Sequence, residues 1–166
     1  MATKKRNKMK KVVTMIAVLL IFRSAFASTP FITKWDLSIP GSGATQLSFG
    51  VATAGGLASY TWLQLTGGSA TGSGTFSGTT VTITGLPAEA MIQLSIDSAN
   101  FIRININNGA DKYRLVDVEQ WGSIAWSSMV TAFCGCGNIN ITATDIPNLS
   151  NVNNMSSMFS YCYNLN

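Results

Sequence analysis

"MVTAFCGCGNIN" (129–140) returns, altered but in register, as "MSSMFSYCYNLN" (155–166). Laid one on the other, the two stretches share Met129/Met155, Phe133/Phe159, Cys136/Cys162, Asn138/Asn164 and Asn140/Asn166. Thr131/Ser157 and Ile139/Leu165 match conservatively. The same offset holds at every pair and divides the tail of the chain into copies at 115–140 and 141–166. Five identities in register, a Cys and a Met among them, mark a repeat rather than a compositional accident in an Asn- and Ser-rich segment. A single copy has one apolar side and nothing to bury it against. Stacking a second copy behind the first would line Met on Met, Phe on Phe and Cys on Cys.

Within the second copy, apolar residues fall at Ile146, Leu149, Val152, Met155, Met158, Cys162 and Leu165. That near-three-residue spacing fits neither a clean strand nor a long amphipathic helix. "INITAT" alternates like a short strand, and "NNMSSMFSYC" begins with an N-cap candidate at Asn153 or Asn154 before a turn or two with one apolar side. One short strand plus one short helix every twenty-odd residues predicts a leucine-rich-repeat-like solenoid. Asn138 and Asn164 would form a ladder that satisfies backbone groups along the turn. Cys136 and Cys162 are expected as buried, reduced core thiols. Cys134 is expected as the more reactive one.

Upstream the chain changes character. From Pro30 to Ile106 it is poor in charge and rich in Thr, Ser, Gly and β-branched residues. Short alternating runs ("FITKWDL", "TQLSFGV", "SYTWLQL", "TVTITG", "MIQLSI", "FIRINI") are separated by turn-forming clusters such as "PGSG" and "GGSATGSG". Strands of that length and spacing, with no helical window between them, predict an antiparallel β-sandwich over 30–106, immunoglobulin-like in class. Val81 and Ile83 should face inward. In "FIRINI", Ile102, Ile104 and Ile106 should share one face, with Arg103 and Asn105 on the other. Trp62 reads as a core residue. "NNGADKYR" marks a junction at 107–114, so the expected fold is mainly β: a sandwich, then the start of a solenoid.

The segment 1–27 reads as an export signal. "KKRNKMKK" is a basic region, "VVTMIAVLLIF" an eleven-residue apolar run, and "AFA" supplies small residues before Ser28. Crossing a bilayer needs about 20 apolar residues, so cleavage after Ala27 is expected rather than a membrane anchor. Met9 serves as well as Met1 for a start. Seven of the eleven basic residues lie in this segment. Beyond it stand Lys34, Arg103, Lys112 and Arg114 against seven acidic residues, a net charge of −3. A nucleic-acid partner needs a clustered basic face, and none is left. The expected location is secreted or on the cell surface, bacterial, with no membrane span in the mature chain.

The chain has no His, which removes Ser–His and Cys–His nucleophile pairs and most zinc sites. "CGC" is too close and too alone for a four-ligand metal centre, and it is not a Cys-x-x-Cys redox pair. The glycines of "GGSATGSGTFSG" match neither the dinucleotide fingerprint nor the phosphate loop and read as hairpin turns. Asp97, Asp111, Asp117, Glu119 and Asp145 stand in no apolar run that would perturb their pKa. Asp111, Asp117 and Glu119 offer oxygen ligands for a calcium ion near the junction. No catalytic residue, cofactor site or resident metal is expected, and no enzyme.

"LSNVNNMSSMFSYCYNLN", and more loosely "WSSMVTAFCGCGNIN", resemble the repeat of the BspA-type leucine-rich-repeat surface proteins. That repeat runs LSNVT-like, then DMSxMFxxC, then a small polar pair and Leu. The resemblance covers about residues 107–166 and is complete in the second copy. The first copy departs from it, with "EQWGSIAWSS" where "LSNV" should stand. Trp121 and Trp126 are expected to cap the repeats against the sandwich. "PFITKWDL" and the sandwich after it look like the lead module that precedes such repeats in exported bacterial proteins. The resemblance implies an adhesin-like surface protein that binds extracellular protein or glycan. Separately, two copies are fewer than a stable solenoid needs, and Met155, Phe159, Cys162 and Leu165 would stand open to water, so further copies of the repeat and a surface anchor are expected. An alternative is a non-catalytic carbohydrate-binding accessory module of a secreted polysaccharide-degrading enzyme, with Tyr60 and Trp35 as its sugar-stacking candidates.

Overall fold

A computed structural model describes residues 28–165. The expected export signal over 1–27 lies outside the described residues. The chain is mainly β: β1 Phe31–Asp36, β2 Gln46–Thr53, β3 Ala58–Gln64, β4 Thr71–Phe76, β5 Thr80–Thr84, β6 Met91–Ile96, β7 Phe101–Asn105, β8 Leu115–Gln120 and β9 Asn140–Ile141. One sheet runs β4-β3-β6-β1-β8-β9 and the other β5-β2-β7. Every pairing is antiparallel except β8 with β9, which is parallel.

Alternation builds the core between the sheets. In β5, Val81 and Ile83 are buried while Thr80, Thr82 and Thr84 face water. In β6, Ile92, Leu94 and Ile96 point inward. Trp35 of β1 stacks on Phe49 of β2 across the two sheets, with ring centroids 5.1 Å apart.

Two local departures from simple alternation matter. Along β2–β7 the register passes from Ala52↔Arg103 to Thr53↔Phe101, skipping Ile102. That extra residue is a β-bulge, and it turns Phe101 as well as Ile104 into the core while leaving Ile102 half-buried. The face expected for Ile102, Ile104 and Ile106 therefore loses its first member and gains Phe101. The glycines expected as hairpin turns include Gly72 and Gly74, which lie inside β4. There Gly74 pairs with Tyr60 and Gly72 with Trp62. A Cβ on either would sit 2.5 Å from the Tyr60 hydroxyl or from Trp62 Nε1. The rings lie over bare backbone and supply the packing that glycine lacks.

The expected short helices are absent among the described residues. Residues 130–135 and 156–161 are runs of turns, and the reason is local. Thr131 (φ 53°), Gly135 (φ 85°), Ser157 (φ 56°) and Tyr161 (φ 62°) take left-handed conformations that no right-handed helix contains. The turns nevertheless repeat. Ala132 N–H donates to Met129 O, Cys134 to Thr131, Cys136 to Phe133 and Ile139 to Cys136. Met158, Ser160, Cys162 and Leu165 donate in the same way to Met155, Ser157, Phe159 and Cys162.

The two copies lie directly on each other. The N–H groups of Met129, Thr131, Phe133 and Gly135 donate to the carbonyls of Asn154, Ser156, Met158 and Ser160 at 2.8–3.2 Å. In parallel pairing a donor faces the residue after its acceptor, so Met129 is level with Met155 and Phe133 with Phe159. The two phenylalanine rings stack with centroids 5.6 Å apart and planes 8° apart. On its other side the first copy rests on the segment after β7, where Ile106 and Asn108 donate to Ala132 O and Cys134 O. Trp121 and Trp126 are buried at this seam. Trp126 meets Phe31 at 5.1 Å and Phe101 at 5.6 Å, and Trp121 meets Phe133 at 5.9 Å.

Residues 107–114 are fastened down as well. Arg114 pairs with Asp111 at 3.1 Å, both nearly inaccessible. The guanidinium donates to the carbonyls of Ile39, Gly43 and Gln46, while Asp111 accepts from Ser42 and Ser48. A buried pair holds only when its remaining hydrogen-bonding capacity is met, as here. Gly41 is required, since any Cβ there would collide with both partners.

Candidate functional site

The second copy differs from the first where it faces outward. Gly135 and Gly137 of the first copy are replaced, at the equivalent positions of the second, by Tyr161 and Tyr163. Both tyrosines are largely exposed, at 61% and 76%, and their rings pack edge to face at 6.3 Å. Tyr113, from the turn before β8, is 45% exposed. Tyr113 and Tyr163 flank Gly137: a Cβ there would lie 3.1 Å from Tyr113 Cε1 and 3.6 Å from Tyr163 Cδ2. Lys112 Nζ stands 5.2 Å from the Tyr113 ring centroid, within cation–π range. Asn138 Nδ2 donates to Tyr113 O at 2.9 Å, so this amide braces the layer below. Three tyrosines, one cation and the Asn138 amide thus gather on one outward face. Flat aromatic surface rimmed by hydrogen-bonding groups suits a sugar ring or an apolar protein side chain.

The residues singled out from the sequence fall elsewhere. Trp35 is fully buried and its Nε1 donates to Thr33 Oγ1 at 2.8 Å, so it offers no ring to a sugar. Tyr60 is half-buried, covering Gly74 and packing near Phe76 at 6.3 Å. The β4-β3-β6 region does carry a shallow groove of about 420 Å³, lined by Tyr60 and Pro30 together with Ser59, Thr61, Ser73 and Ser95 among others.

The three candidate calcium ligands do not converge. Asp111 is spent on Arg114 and the Ser42 and Ser48 donors. Asp117 accepts from Thr142 N and Oγ1, tying the start of one copy to the start of the next. Glu119 pairs with Lys34 at 2.6 Å and accepts from Gln93. Burial pushes the Glu119 carboxyl up, yet the bonds from Lys34 and Gln93 outweigh it and hold the group below its usual range. The Lys34 ammonium is held up chiefly by its bond to Glu119. No group of three metal-ligating side chains forms among the described residues. Asp145 instead accepts from the N–H groups of Trp121 and Gly122.

All three cysteines are free thiols. Cys136 is buried, and desolvation pushes its thiol well up. Cys134, expected to be the reactive one, is also buried, under the Asn108 amide. Cys162 is half-buried, and burial raises its thiol too. Accessibility therefore favours Cys162. Sequence alone could not rank them, because the ranking follows from which copy is covered.

No family model matches this chain, and comparison with curated proteins and solved structures gives no significant match. Among the described residues, no helix is long and apolar enough to cross a membrane.

Proposed function

We propose that this is a non-enzymatic, exported binding protein, in which an immunoglobulin-like β-sandwich seats the first coils of a leucine-rich-repeat-like solenoid of the BspA type. The observation that supports the reading most is the ladder between the two copies, in which Met129, Thr131, Phe133 and Gly135 each donate to the copy above. Solenoids of this kind bind through an extended lateral surface. The ligand is an extracellular protein or glycan, met by Tyr113, Tyr161 and Tyr163. Tyrosine supplies large amphipathic contact area at low entropic cost, and exposed clusters of it commonly dominate binding energy.

A screen of the chain against matrix proteins and glycans tests this. For any ligand found, Tyr161→Ala together with Tyr163→Ala should weaken binding at least about tenfold. Unchanged binding by a folded double variant would move the site off this face.

A further inference from the structure

The stack has a chemical direction. In the first copy, the outward N–H groups of Met129, Thr131, Phe133 and Gly135 are donors to the second, while the carbonyls of Met129, Thr131 and Phe133 are consumed by i→i+3 turns. The second copy repeats the arrangement on its far side. The carbonyls of Met155, Ser157 and Phe159 are taken by Met158, Ser160 and Cys162. Among the described residues, the N–H groups of Met155, Ser157, Phe159 and Tyr161 meet no acceptor. Tyr163 O corresponds to Gly137 O, which accepts from Asn164 N–H across the two layers. This edge therefore offers four donors and then one acceptor, beside the half-covered side chains of Phe159, Cys162 and Leu165 and the exposed Met155.

We infer that this edge is a one-way docking surface for a further coil of the same repeat, laid on in the same direction, and that it cannot pair with the same edge of a second copy of the chain. The first half follows from continuity. A coil above would present the carbonyls that Asn154, Ser156, Met158 and Ser160 present to the first copy, and would cover Phe159 as Phe159 covers Phe133. The second half follows from the donors. A two-fold pairing of this edge with itself sets N–H against N–H at Ser157, Phe159 and Tyr161, and buried donors without acceptors are costly. Head-to-tail growth between chains is closed as well, because the lower side of the stack is bonded to the segment after β7 through Ile106 and Asn108. None of this depends on what the tyrosine face binds.

The test appends residues 141–166 once more to the end of the full chain, with a scrambled version of the same tail as control. Amides of Ser157, Phe159 and Tyr161 should exchange about tenfold slower or more with the true copy. Alkylation of Cys162 should slow towards the rate of Cys136. The scrambled tail should change neither. Unchanged exchange with the true copy, or equal protection by the scrambled tail, would overturn the docking claim. Sedimentation of the unextended chain should show a monomer, and a dimer whose formation protects these same amides would overturn the polarity claim.

Discussion

Met129, Phe133, Cys136 and Ile139 are all fully buried, whereas Met155 is 52% exposed and Phe159, Cys162 and Leu165 are half-covered. The two sets carry nearly the same side chains at the same spacing, on turns with the same internal hydrogen bonds. The difference is the neighbour. The first copy has the sandwich seam below it and the second copy above; the second copy has a partner on one side only. In a stack of layers, burial belongs to the position of a layer and not to its sequence.

That comparison is sharpest in the stacked phenylalanines. Phe133→Ala should cost about 3–5 kcal/mol, the range for deleting a fully buried aromatic, because it removes the ring that Trp121 and Phe159 both contact. Phe159→Ala should cost about 1–2 kcal/mol, since part of its surface already faces water. Urea unfolding of the two variants measures both. Equal losses would mean that the layers are equivalently buried and the contrast is false.

Thiol chemistry probes the same contrast with a smaller perturbation. Native alkylation should modify Cys162 first, because it is only half-covered, and leave the buried Cys136, whose thiol desolvation pushes well up, to global unfolding. Labelling of Cys134 ahead of Cys162 would place the open side of the stack elsewhere.

Repeat register was legible in the sequence because identical residues at one offset have to serve identical neighbours. Strand alternation was legible for β5 and β6, where each residue has a plain inside or outside. The bulge at Ile102 was not, because an extra residue in one strand is set by the partner across the sheet. Nor was the inward turn of Trp35, since either face of β1 presents alternating residues and only the second sheet decides which is covered. The helix expected in each copy failed for a conformational reason: Thr131, Ser157 and Tyr161 hold positive φ without the glycine that would announce it. The tyrosine face needed three layers to be superposed before Tyr113, Gly137 and Tyr163 came together.

The smallest expected effect lies below the repeats, where Lys34 of β1 bonds Glu119 of β8. The Glu119 carboxyl is held below its unfolded value of 4.5. Its contribution is therefore present above that value and is lost as pH falls through the lower folded value. Glu119→Gln should be less stable than the parent at neutral pH by roughly 0.2–1 kcal/mol, as for other partly exposed pairs. The gap should close in thermal melts run below pH 4.5. A gap that widened on acidification would contradict the pairing.

Native-state hydrogen exchange, read as matched pairs of positions in the two copies, addresses the stacked register itself. Amides of Met129, Thr131, Phe133 and Gly135 are bonded to the second copy, while those of Met155, Ser157, Phe159 and Tyr161 have no acceptor among the described residues. The first four should exchange slowly, and the second four close to the rate of unprotected amides. Slow exchange in both sets, or fast exchange in both, would contradict an ordered stack that is covered on one side and open on the other.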